Sequence, residues 1–105
     1  MEGRLKLRVR SNWQHSVLIC GKCSKRLGGG FGPKGRTPLA KALRKHLGFK
    51  KGRKARAGVV EVKCMGVCPR GAVTAIDTRH PGEWALVPGG ADLGTVAAAL
   101  GLTGA

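Results

Sequence analysis

The sequence predicts an α/β fold in one domain, with a mixed sheet of about four strands and two helices. Three observations predict it. Short apolar runs at 15–20, 58–63, 72–77 and 83–87 have the length of ordinary strands. Two other stretches, 39–47 and 93–100, space their apolar residues three and four apart, which is a helical period. The 105 residues, 42% of them hydrophobic, suit one small globular domain and not a disordered chain.

Each element has its own local reason. Residues 1–15 form a basic arm in which Leu5, Leu7 and Val9 alternate with Arg4, Lys6, Arg8 and Arg10. His15–Cys20 is the first core strand. Residues 21–36 hold six glycines and read as a loop, expected to act as a flexible cover. Thr37-Pro38 marks a helix start, with Thr37 as N-cap and Pro38 in the first turn. Leu39, Leu43 and Leu47 share one stripe of that helix while Lys41, Arg44 and Lys45 lie elsewhere, and Gly48 stops it. After a basic linker over 49–57 come a second strand, Gly58–Lys63, and a third, Ala72–Asp77. His80-Pro81-Gly82 turns the chain into a hairpin with Glu83–Val87. Asp92 caps a last helix whose buried stripe is Leu93, Val96, Ala97 and Leu100, ended by Gly101. A right-handed crossover makes the first two strands parallel. The order is then β-α-β followed by β-β-α, the thioredoxin-like arrangement, over residues 16–105.

Charge divides the chain. The formal net charge is +15, and 17 of the 20 basic residues precede residue 61, where one acidic residue accompanies them. Such asymmetry points to a basic face for an anionic partner, whether nucleic acid, an acidic protein or a phosphate ligand; a merely solvated surface is the plainer alternative. No apolar run reaches the length of a membrane span, and 1–10 alternate instead of forming a leader's apolar stretch. The expectation is a cytoplasmic protein without a membrane partner. Four aromatics (Trp13, Phe31, Phe49, Trp84) and no Tyr make a poor stacking platform for single-stranded nucleic acid. His15, His46 and His80 are isolated, the acids are scattered, and no nucleophile–base spacing or phosphate-binding loop occurs. No enzyme is expected.

The cysteines carry the chemistry. Cys20-Gly21-Lys22-Cys23 and Cys64-Met65-Gly66-Val67-Cys68 each begin where an expected strand ends. If those strands are parallel neighbours, all four sulfurs can converge at one sheet edge, outside the carboxyl ends of the strands. A thiolate-only set suits Zn or an iron–sulfur centre. A redox dithiol at Cys20–Cys23 is a further option, weakened because the helix such enzymes place after the first cysteine is expected to be missing or very short here. Disulfides are disfavoured because nothing marks secretion. Lys22, Lys25, Arg26, Lys63 and Arg70 flank the cysteines, and Met65 is expected to pack nearby.

At this point the residues resemble a family. V-L-I-C at the first strand end, K-C-M-G-V-C-P-R-G-A-V-T at the second pair and P-G-E-W in the hairpin look like the thioredoxin-like (Shethna-type) 2Fe-2S ferredoxins. The likeness covers about 16–100. It implies cluster ligands at Cys64 and Cys68, with Cys20 as the strand-end ligand and Cys23 as the remaining candidate. The first pair is shorter than the family's usual spacing, which keeps tetrahedral Zn open as the metal. The implied function is one-electron transport with a redox partner protein of acidic character; some relatives are homodimers. The alternative is a Zn-stabilised basic nucleic-acid-binding module, and behind it a dithiol oxidoreductase.

Overall fold

The computed structural model describes residues 10–49, 55–67 and 69–102. Among them the element order is β1 (Ser16–Cys20), α1 (Gly21–Arg26), α2 (Leu39–Leu47), β2 (Gly58–Val62), β3 (Ala72–Asp77), β4 (Ala85–Pro88) and α3 (Leu93–Ala99). The strands form one mixed sheet in the order β2-β1-β3-β4. β1 pairs with β2 in parallel, Ser16 opposite Gly58 and Cys20 opposite Val62. β1–β3 and β3–β4 are antiparallel. The predicted α/β class and thioredoxin-like order therefore hold.

The parallel pair follows from the crossover. α2 lies between β1 and β2 in the chain, and its apolar stripe must return to the sheet to be buried. Leu39 and Leu43 are fully buried in one cluster with Val17 and Ile19 of β1, Val73 of β3 and Ala97 of α3. Leu47 joins that cluster partly buried, while Lys41 and Lys45 stay exposed. α2 ends at Gly48 in the left-handed conformation, φ 68°. Leu93, Val96, Ala97 and Leu100 of the last helix also pack inward, as their spacing predicts.

Two expectations need correction. The chain after Cys20 is not a plain loop, because α1 occupies residues 21–26 and gives the fold a third helix. G-K-C-S-K-R lacks an apolar period, so the signal was local. The Cys20 sulfur caps α1, and the Ser24 hydroxyl donates to the Cys20 carbonyl at 3.1 Å. Nor does Thr37 cap α2. Its backbone pairs with buried Phe31 through two hydrogen bonds, 2.9 and 3.1 Å, and Pro38 takes the cap without a side-chain bond. Together with the Gly30 N–H bond to Gly35 and the Gly90 N–H bond to Gly30, this pairing makes 28–37 a hydrogen-bonded turn.

The end of the sheet opposite the cysteines is closed by Asp77. Burial alone would push its carboxyl up; hydrogen bonds from the Arg79 side chain and backbone N–H outweigh that and hold it below its ordinary range. The His15 Nε2–H donates to the Leu100 carbonyl at 3.3 Å, and His80 lies 3.6 Å from Asp77. Residues 1–9 and 50–54, which hold most of the expected basic arm and linker, lie outside the described residues.

A depressed carboxyl contributes stability above the ordinary Asp range and loses it as pH falls through the folded value. The resistance of the wild type to urea is therefore expected to fall on acidification below about pH 4, with a flatter profile in Asp77→Asn. Leu43→Ala is expected to lower the unfolding free energy by about 2–5 kcal/mol, read from the same denaturant midpoints.

Candidate metal centre

The register of β1 and β2 sets the positions of the sulfurs. Cys20 is the last residue of β1, and Cys64 stands two residues beyond its partner Val62. The ladder continues past both strands, since the Lys22 N–H donates to the Lys63 carbonyl at 3.0 Å. α1 therefore sits directly against the chain that leaves β2. Gly21 makes that approach possible, because a Cβ there would meet the Val62 carbonyl at 2.8 Å.

Cys20 and Cys23 face the interior, 0% and 2% exposed. The Cys23 N–H donates to the Cys20 sulfur at 3.4 Å, closing the first turn of α1. Burial raises the Cys20 pKa, but hydrogen bonding, led by the Cys23 N–H on its sulfur with smaller contributions from the Met65 and Lys22 backbone, outweighs this and leaves it below the ordinary thiol range. Cys23 goes the other way. Burial and the neighbouring Cys20 push its thiol up, against opposing hydrogen bonds from Thr74.

The second loop is tied to the first pair. The Val67 carbonyl accepts from the Cys23 thiol at 3.5 Å and from the Thr74 hydroxyl at 2.9 Å. The Gly66 N–H donates to the Cys64 sulfur at 3.4 Å. Gly66 holds φ 82°, a left-handed bend that an L side chain rarely adopts, so the tight loop requires glycine there. Cys64 itself is exposed. Cys68 lies outside the described residues.

Three of the four predicted cysteines are thus placed at one edge of the sheet, two of them buried and hydrogen-bonded together. All three are free thiols. Among the described residues, no three His, Cys, Asp or Glu side chains converge closely enough to hold a metal ion. The donor chemistry nonetheless fits a thiophilic centre: soft sulfurs, with N–H groups directed at Cys20 and Cys64 in the manner that supports a ligated thiolate. The three histidines stand elsewhere. His15 and His80 sit at the opposite end of the sheet, and His46 is exposed on α2.

Lys22, Lys25 and Lys63 are exposed around an open groove that ends on Cys64. Arg26 and Arg70 are exposed but do not line it. Met65 packs partly buried against the core, as expected. Sequence reasoning missed Ser24 and Thr74, buried hydroxyls that fix the backbone beside Cys20 and Val67. The signal available for Thr74 was one polar residue within the apolar run A-V-T-A-I-D. Comparison with protein-family models, curated proteins and solved structures finds no match to this chain.

Proposed function

We propose that the chain is a small electron-transfer protein that holds a 2Fe-2S cluster through Cys20, Cys23, Cys64 and Cys68, and exchanges electrons with a partner protein. The observation that carries this reading is the parallel, in-register pairing of β1 with β2, which brings two cysteine segments far apart in sequence to one edge. Bound there, the cluster supplies reversible one-electron transfer. The protein's part is ligation and tuning. The Cys20 sulfur accepts the Cys23 N–H and its thiol is held below the ordinary range, and buried Cys23 is fixed one helical turn away. Lys22, Lys25 and Lys63 place positive charge beside an anionic centre, which favours its reduced form. The chain's expected home is the cytoplasm; among the described residues no helix is long and apolar enough to cross a membrane.

The test is the visible spectrum of protein purified without oxygen. A brown protein whose charge-transfer absorption bleaches on dithionite supports the cluster, and a colourless one holding one Zn contradicts it. Serine at Cys20, Cys23 or Cys64 is expected to lose or destabilise the visible centre. Full occupancy in Cys23→Ser would remove Cys23 from the ligand set.

One observation favours a second reading. Both thiols are buried, but Cys20 caps α1 with a lowered pKa while that of Cys23 is raised, the pKa asymmetry of an attacking and a resolving thiol. As a dithiol oxidoreductase, the Cys20 thiolate would attack a substrate disulfide and expel one thiolate. Cys23 would then close the Cys20–Cys23 disulfide, release the second thiolate and leave the substrate reduced by two electrons. Insulin reduction abolished by Cys20→Ser but kept by Cys64→Ser supports this reading. Equal absence of activity in wild type and variants rejects it.

A further inference from the structure

The groove at the cysteine edge has a composition that neither ligation nor folding explains. It is an open trough of about 470 Å³ bounded by Lys22, Lys25, Lys63, Glu61, Val62 and Cys64. A second groove shares Lys25 and Glu61 with it and runs on past Gly28 and Gly29 to Arg36. The two form one path with four cations and one acid. Lys22, Lys25, Arg36 and Lys63 are all exposed, and no ion pair to any of them is found among the described residues. Concentrating like charge along one path costs self-repulsion unless a counter-charge arrives from outside.

The path is not uniformly charged. Val67, 42% exposed, stands on the loop that follows Cys64, and Val62 lies in the groove wall. An apolar side chain in the wall of a groove that ends on an exposed cysteine and is bordered by lysines matches the anatomy of a protein interface, in which apolar contact is framed by charge. A nucleic-acid strand fits worse. Among the described residues neither groove has an aromatic ring in its lining on which a base could stack.

We infer that this path is the docking surface for an acidic segment of a protein partner, seated between Lys22, Lys25 and Lys63 with an apolar residue against Val62 and its end at Cys64. The inference rests on the electron-transfer reading, because it places the partner at the exposed edge of the thiol centre. Lys22 and Lys63 are held by the backbone bond between their residues, so their two side chains leave neighbouring positions on the rim. Opposite charges so arranged raise the encounter rate and set the orientation of the partner.

The experiment uses the full chain as purified, with its metal. A fluorescent glutamate-rich peptide carrying central leucines is the probe, and oligouridylate RNA of matched charge is its competitor. Lys22→Glu/Lys63→Glu is expected to weaken peptide binding by about tenfold or more. Lys41→Glu/Lys45→Glu, an equal charge change on α2, is expected to change it by less than about threefold. Carbodiimide cross-links should fall on Lys22, Lys25 and Lys63. Equal losses in the two double variants, cross-links spread over α2, or preference for the RNA would overturn the inference. Iron and the visible spectrum are recorded on the same samples. Unchanged peptide binding in a Lys22→Glu/Lys63→Glu protein that keeps its spectrum removes the docking surface and leaves the redox centre standing. Groove-dependent binding by a chain that carries no iron removes the redox centre and supports the docking surface.

Discussion

Parallel pairing between β1 and β2 requires a crossover, and the crossover requires α2 to bury its leucine stripe against the sheet. Once that is satisfied, Cys20 must stand beside Val62, and the chain that leaves β2 must pass α1. The cysteine edge is a consequence of this register. A slip of one residue would turn Val17 and Ile19 out of the core and break the Lys22–Lys63 backbone bond. Core packing and the geometry of the sulfurs therefore depend on a single alignment.

The features around Cys20 serve two kinds of chemistry. Backbone N–H groups that stabilise a thiolate prepare it equally for ligation and for nucleophilic attack. What separates the two is the second segment. A dithiol enzyme has no use for Cys64 and Cys68, whereas a four-thiolate centre needs both. The loop geometry leans the same way: Gly66 bends the chain, and Val67 is anchored on Cys23 and Thr74, so the second segment is built onto the first pair. The lysines at the rim border the groove that ends on Cys64, so in the proposed reading their charge acts on the centre and on a visiting protein alike.

Much of this was legible in the sequence because the signals were periodic or stereochemical. The Leu39–Leu43–Leu47 stripe, the left-handed stop at Gly48 and the Asp92 cap, whose carboxylate accepts the Thr95 N–H at 2.9 Å, all lie where local rules place them. α1 escaped because its six residues carry no apolar period, and a sulfur rather than a hydroxyl or carboxylate caps it. Thr37 misled because its Thr-Pro sequence suits a cap equally well as the end of a short bridge to Phe31. The thiol edge was legible as a placement of strand ends. The opposite shifts of Cys20 and Cys23, the roles of Ser24 and Thr74 and the groove past Arg36 were not, because each depends on residues brought together only by the fold.

The central claim is that the four cysteines hold an iron–sulfur cluster. It is tested most directly by counting iron, acid-labile sulfide and zinc per chain in protein purified without oxygen. About two irons and two sulfides per chain are expected. One zinc with no labile sulfide, or a metal-free chain with four titratable thiols, would contradict it.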